Sequence, residues 1–407
     1  MKGGRFFRLL PSELIPLPFG SELFMLPDRV PAGYDPRSGR FISISSACRG
    51  RRFFPAAAFI SPGFTVTYQS AFQEKTRPVL LPLFSYSAVV SYKGRYHVAA
   101  VRVDTERRHD LRLLDMNRVR QGIARFRKLF SGNRVIRHLE TCALAYGCPT
   151  AKCFFLTRSE APLPTAPACN ARCFGCISYQ PGGRCSASQA RIRFIPSWEE
   201  ITEIALYHLG GARDPIVSFG QGCEGEPLLA GHLLERSIRS IRAKTGRGLI
   251  NLNTNGSQPG TISRLFDAGL DSIRVSFNSA QEKFYSRYYR PRRYSFKDAV
   301  DSLRIARKKK GFVSINYLTM PGFTDSQDEY DAFVRLLETH CIDMIQWRNL
   351  NYDPLQYFRD LKFPARETSL LGVREVIRRV RKRFPALMMG YYNPSRKRIE
   401  RWKNRLR

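Results

Sequence analysis

Residues 249–278 read LINLNTNGSQPGTISRLFDAGLDSIRVSFN, in which two short β-rich runs, 249–253 and 272–277, flank one helix-like segment. Similar runs recur at 215–219, 313–318 and 343–346, again with helix-like segments between them. Three of the helix starts carry an S-x-x-[DE] capping pair: Ser197 with Glu200, Ser295 with Asp298, and Ser326 with Glu329. Apolar strands alternating with amphipathic helices imply parallel βα units. Five strands are visible and a sixth is expected before Cys169. The predicted fold is therefore α/β, a partial (βα)6 barrel whose functional residues sit at the C-terminal ends of its strands.

Outward from this core the chain changes character. Residues 1–135 are punctuated by Pro and Gly and contain short β-like runs, two of them joined at Lys93-Gly94 as a hairpin. They read as a small, mostly β N-terminal domain, with a basic helical segment near its end. Residues 136–190 are rich in Cys, Pro and Gly and read as an irregular segment ordered by metal. The barrel core covers 191–351, and 352–407 reads as a helix followed by a basic helical tail. With 43% hydrophobic and 25% charged residues in a chain of 407, the composition is globular. No window approaches the roughly 20 apolar residues of a membrane span. Pro11, Glu13 and Pro16 interrupt the apolar start, so no secretory signal and a cytoplasmic location are expected.

Charge and cysteine usage need separate explanations. Lys and Arg number 67 against 34 Asp and Glu, a net charge of +33 that suits contact with RNA or phosphorylated ligands but also fits an Arg-rich proteome. Of ten cysteines, seven (142, 148, 153, 169, 173, 176 and 185) crowd one stretch, which points to metal ligation rather than disulfides. Cys169-Asn-Ala-Arg-Cys173-Phe-Gly-Cys176 is a C-x3-C-x2-C loop. Three thiolates can hold a cubane cluster with one iron open, or zinc with Cys185 as a fourth ligand, and spacing does not separate the two. Each predicted strand then ends in a polar or Gly-rich element: Gly225-Glu226-Pro227, Thr254-Asn255-Gly256, Ser276 with Asn278, and Met320-Pro321-Gly322.

The three-cysteine loop followed by these elements in this order resembles the radical S-adenosylmethionine (SAM) superfamily over about residues 162–351. The resemblance implies that Cys169, Cys173 and Cys176 ligate a [4Fe–4S] cluster and that SAM chelates the fourth iron. It further implies that Gly225 and Glu226 receive the SAM amino group, and that Thr254, Asn255, Ser276 and Asn278 contact its ribose or carboxylate. Reductive cleavage of SAM would then give a 5′-deoxyadenosyl radical that abstracts hydrogen from a substrate. One departure stands out. The family commonly places an aromatic residue directly before the third cysteine, whereas here Gly175 holds that position and the aromatic is Phe174.

Cys142, Cys148, Cys153 and Cys185 are candidates for a second, auxiliary iron–sulfur cluster, against the plainer reading that buried thiols only pack. Cys223 is expected near the SAM pocket. Residues 285–294 interleave aromatic and basic side chains, with Arg290 a candidate for gripping substrate, as are Arg348 and Asn349 after the last strand. The expected partners are an electron donor such as a flavodoxin or ferredoxin, and RNA, with no membrane. The competing class is a zinc-stabilised nucleic-acid-binding protein without catalysis.

Overall fold

The computed structural model describes residues 1–44, 53–76, 78–180, 182, 185–365 and 367–406. Its centre is a seven-stranded parallel sheet whose spatial order follows the chain. The strands are β1 (Glu160–Pro162), β2 (Ile216–Phe219), β3 (Leu249–Thr254), β4 (Ser272–Phe277), β5 (Phe312–Thr319), β6 (Met344–Asn349) and β7 (Met388–Gly390). The sequence-based expectation of six parallel strands is thus extended by β7, three residues too short to stand out against its surroundings. Asn393, just after β7, donates to Glu160 of β1 at 2.9 Å, so the sheet curls until its two edges communicate through side chains.

The outward face of the sheet is apolar and covered by helices, in keeping with buried Val217, Ile250, Leu252, Ile273, Val275, Val313, Ile315 and Ile345. The inward face is polar. Alternation puts Ser218, Asn251, Asn253, Ser272, Arg274, Ser276, Ser314, Asn316 and Gln346 on it, and register aligns Ser218 with Asn251 and Asn251 with Ser272. Several of these side chains pair with one another. Arg274 Nη1 donates to Gln346 Oε1 (2.7 Å), Gln346 Nε2 to Asn393 Oδ1 (2.9 Å) and Ser272 Oγ to Asn251 Oδ1 (2.8 Å).

Two of the three capping boxes close as the sequence suggests, at Ser197–Glu200 and Ser295–Asp298. At the third, Ser326 caps the helix Gln327–Thr339, but the Glu329 carboxylate turns inward. It accepts from Ser279 Oγ (2.7 Å), the Ala280 N–H (2.7 Å), Gln281 Nε2 (2.8 Å) and the Tyr317 hydroxyl, tying the exit of β4 to β5.

Residues 136–190 are less irregular than their composition suggests. Three helices, α1 (Met116–Leu129), α2 (Arg134–Leu144) and α3 (Pro149–Phe155), lead into β1. Their apolar faces join the main core through Phe126, Leu139, Phe154 and Phe155, so packing orders the chain up to β1, whereas the described residues of 163–190 form no helix or strand. The basic tail is likewise structural. The helix Arg396–Leu406 sets Ile399 and Trp402 against Ile216, Leu249, Phe312, Met344 and Met388, residues at the starts of five strands, and so plugs the N-terminal end of the barrel.

The N-terminal residues form antiparallel sheets, including the expected hairpin of Ser87–Tyr92 with Arg95–Val98. They dock at the opposite end of the barrel. The edge strand Phe64–Val66 lies beside the C-terminal end of β6, where Asn349 accepts from the Val66 N–H (2.9 Å) and donates to the Phe64 carbonyl (3.0 Å), as a strand neighbour would. Arg29, fully buried, pairs with buried Asp353 at 2.8 Å and donates to the Val79 carbonyl at 2.6 Å. Among the described residues no helix is long and apolar enough to cross a membrane.

Two tests follow from these contacts. Arg29→Met leaves Asp353 buried without its cation and is expected to cost about 3–5 kcal/mol in chemical denaturation, with Asp353→Leu in the same chain restoring part of the loss. Glu200 receives three hydrogen bonds from Arg134 (2.7, 2.8 and 3.0 Å), which hold its carboxyl down at about 2. Its folded value lies below the unfolded one, so the stability it contributes is present above about pH 4.5 and is lost as pH falls through about 2. Glu200→Gln should flatten that acid limb of a stability–pH curve and leave the curve above pH 6 parallel to wild type.

Candidate metal and cofactor site

The loop that carries Cys169, Cys173 and Cys176 leaves β1 and is fastened to the exits of its neighbours. The Leu163 N–H donates to Ser218 of β2 (2.8 Å), the Gly225 N–H to Ala166 (2.6 Å) and the Glu226 N–H to Ala168 (2.9 Å). At Gly225 a Cβ would lie 1.9 Å from the Ala168 carbonyl oxygen, so only glycine permits this approach. Glu224 reinforces it. Its buried carboxylate accepts from the N–H groups of Gly220 (2.6 Å), Gln221 (3.0 Å), Thr165 (2.7 Å) and Ala166 (3.0 Å), clamping the loop after β2 to the loop after β1. Sequence reasoning passed over Glu224, although its place inside Cys-Glu-Gly-Glu-Pro was a signal.

Glu226 continues the chain of contacts to β3. Its carboxylate accepts from Thr254 Oγ1 (2.5 Å), the Asn255 N–H (2.8 Å) and the Leu228 N–H (3.1 Å). Burial pushes it up to about 7 against these three donors. Asn255 Nδ2 then reaches Asn170 Oδ1 in the cysteine loop at 2.7 Å. The structure therefore brings together Cys169, Gly225, Glu226, Thr254 and Asn255. Ser276 stands one strand further on and accepts from Asn316 Nδ2 at 3.2 Å. Asn278 is fully buried, its Nδ2 donating to the Phe284 carbonyl and the Tyr357 hydroxyl, both 3.3 Å, while its Oδ1 has no protein donor.

The three thiols themselves are partly buried and lie within one another's electrostatic reach. Burial raises Cys169 to about 11 and Cys173 well above its ordinary value, with the neighbouring thiols adding to the rise at Cys173. Arg191 Nη2 lies 3.5 Å from Cys176 Sγ, a cation where thiolate charge would gather. The three do not close to the spacing of ligands around a single ion, unlike another group described below. Donors at three corners of a cluster stand further apart than donors around one ion.

The position of Phe174 has a steric cause. A Cβ at residue 175 would meet the Asn351 carbonyl and the Tyr288 hydroxyl, each at 2.9 Å, so no aromatic fits there. Phe174 instead stacks on Tyr352 (6.1 Å between ring centres) and receives the Arg290 guanidinium over its face at 4.5 Å. Residues 285–294 are accordingly a wall rather than an exposed stacking platform. Tyr285, Tyr288 and Tyr289 lie on the helix Glu282–Tyr289 and are buried, because their spacing puts them on its inner face.

The other expected residues separate. Arg348 donates to the Tyr391 carbonyl (3.1 Å) and stacks over the Tyr391 ring, while Asn349 is spent on the N-terminal strand. Cys142 on α2 meets His138 and Cys223, with Cys148 nearby. Cys153, on α3, neighbours Arg158 and Glu160, and Cys185 lies within reach of Tyr86. Of the four cysteines suggested for an auxiliary cluster, Cys148 lies within electrostatic reach of both Cys142 and Cys153. Glu160, Arg274, Gln346 and Asn393 form a buried polar network that the sequence reading did not single out. Burial, then the charge of Arg348, lowers Arg274 to about 9.

The model of the radical SAM superfamily matches residues 163–334, from the end of β1 through β5 into the following helix. The FeMo cofactor biosynthesis protein NifB of Klebsiella pneumoniae is 26% identical over 189 residues, 40% of this chain. That match spans 38% of the relative's own length. Among solved structures, methylornithine synthase (PylB) aligns at 17% identity and TM-score 0.40, over 59% of this chain and 67% of that one. A radical SAM methyltransferase from Sphaerobacter thermophilus aligns at 15% identity and TM-score 0.38, over 50% of this chain and 63% of that one. Residues 163–334, which carry the cysteine loop, the Gly-Glu-Pro turn and the strand exits gathered at one edge of a curled parallel sheet, match the radical SAM superfamily.

Proposed function

We propose that Cys169, Cys173 and Cys176 hold the [4Fe–4S] cluster of a radical SAM enzyme, and that the exits of β2, β3 and β4 bind SAM beside it. The match of residues 163–334 to the superfamily model supports these two cofactors. The observation that carries the site assignment is the continuous contact from Asn170, in the cysteine loop, through Asn255 to Glu226 and Thr254. It sets three thiols and a polar pocket against each other.

The residues fit both groups. Three thiols in one short loop supply three ligands and leave a fourth iron for an exchangeable donor. The sulfonium cofactor carries an ammonium and a carboxylate. Glu226 offers a buried carboxylate for the former, and Asn278 Oδ1 and Asn316 Oδ1 are buried acceptors without protein donors. When bound and reduced, the pair supplies homolytic cleavage of SAM and a carbon radical for hydrogen abstraction.

The chain's own part is to orient and to exclude water. Glu224 and Glu226 lock the loops after β1, β2 and β3 in register. Arg191 offsets charge at Cys176, and the Tyr285–Tyr289 wall with Phe174 keeps solvent from the loop. The N-terminal sheets close the mouth on the β5–β6 side, so substrate would enter between them and the cysteine loop. An electron donor is required, and a flavodoxin or ferredoxin has the right chemistry.

Two measurements test the assignment. Cys173→Ala should reduce iron and sulfide in anaerobically purified protein to background and abolish 5′-deoxyadenosine formation from SAM under reductant. Retention of either at wild-type level would refute the ligand set. Asn255→Ala should keep the iron but weaken SAM binding at least tenfold, the equivalent of about 1.4 kcal/mol, when followed by equilibrium dialysis. Unchanged SAM affinity would remove Asn255 from the pocket.

A further inference from the structure

Outside the cysteine loop, one other group of donors converges. His138 and Cys142 are four residues apart on α2 and therefore share a helix face. Cys223, in the loop after β2, packs against that face from the barrel side. One donor atom from each of the three lies within 4.8 Å of the other two, and Cys142 Sγ stands 3.6 Å from His138 Nε2. Both thiols are buried, at 1% and 5% exposure, and His138 is half-buried.

The His138–Cys142 separation matches two ligands of one ion, and the 4.8 Å limit admits Cys223 as a third. Zinc–sulfur and zinc–nitrogen bonds of about 2.3 and 2.05 Å at a tetrahedral angle put donor atoms about 3.6 Å (N···S) and about 3.8 Å (S···S) apart. Cys142 contacts both the His138 imidazole and, from another element, the Cys223 thiol. Two soft sulfurs and one imidazole form a donor set that prefers zinc to magnesium or calcium.

We propose that His138, Cys142 and Cys223 bind a single zinc ion, distinct from the iron–sulfur site. Binding would expel the thiol protons and cross-link α2 to the loop that carries Glu224 and Glu226. The ion would then staple the helices before β1 to the cofactor edge of the barrel. Cys148, whose N–H donates to the Cys142 carbonyl at 2.9 Å, is the neighbouring thiol for a fourth position.

The full-length protein, purified anaerobically under reductant, should contain one zinc per chain in addition to its iron and sulfide. Cys142→Ser and His138→Ala should each lower zinc at least fivefold with iron unchanged, while Cys341→Ser, at an exposed position, should lower neither. Zinc-edge X-ray absorption of the wild-type protein should show a mixed shell of sulfur at about 2.3 Å and nitrogen at about 2.0 Å. That reading does not depend on whether a variant folds. Absence of zinc, an all-oxygen or all-sulfur shell, or a Cys142–Cys223 disulfide would overturn the proposal. Iron is counted separately, so failure here and failure of the cysteine-loop assignment are told apart.

Discussion

The contact on which the site depends is the approach of the Gly225 backbone to the Ala168 carbonyl, too close for any side chain. It lets the strand exits of β1 and β2 pair for two further hydrogen bonds and so fixes where the cysteine loop begins. A parallel sheet gathers all its C-terminal ends at one edge, but the loops there have no ladder to hold them. Here buried carboxylates take over. Glu224 clamps the exits of β1 and β2, Glu226 those of β2 and β3, and Glu329 those of β4 and β5. Each is desolvated and each is satisfied by several donors, the condition under which a buried acid is tolerable.

A polar interior is the second feature with functional weight. The middle inward positions of β1 to β6 are Glu, Ser, Asn, Arg and Gln, so above the apolar layer of Ile216, Leu249, Phe312, Met344 and Met388 the barrel encloses a hydrogen-bonded network. Such an interior must be closed to bulk water at both ends. The amphipathic helix Arg396–Leu406 does this below with Ile399 and Trp402, its basic face left to solvent. The N-terminal sheets close part of the mouth above, tied by Arg29–Asp353 and by the strand-like pairing of Asn349. N-terminal residues whose sequence showed no catalytic group thus cover one side of the C-terminal edge of the barrel.

Much of this was legible from local pattern. The runs 215–219, 249–253, 272–277, 313–318 and 343–346 became strands within three residues of their expected bounds, because alternating turn and apolar signals are properties of short windows. The order of Cys169, Cys173, Cys176, Gly225-Glu226 and Thr254-Asn255 pointed to the strand exits, where the structure brings Cys169, Glu226, Thr254 and Asn255 together. Less was legible where a residue has two uses. Arg348 and Asn349 carry polar groups suited to substrate, yet they are committed to Tyr391 and to the N-terminal strand. Tyr288 and Tyr289 look like stacking platforms in one dimension and prove to be core. Glu329 has the spacing of a capping partner and leaves the cap for Tyr317.

The sequence by itself therefore determined the elements, their parallel arrangement and the family of chemistry, since these rest on periodicity and on residue types a few positions apart. Only the tertiary structure decided which polar side chains remain available and which are consumed in holding the fold. It alone brought His138 and Cys142 to Cys223 across more than 80 residues of chain. Hydrogen-bond partners and ligand sets are chosen by proximity in space, and proximity between distant segments exists only after the sheet has curled and its loops have been clamped.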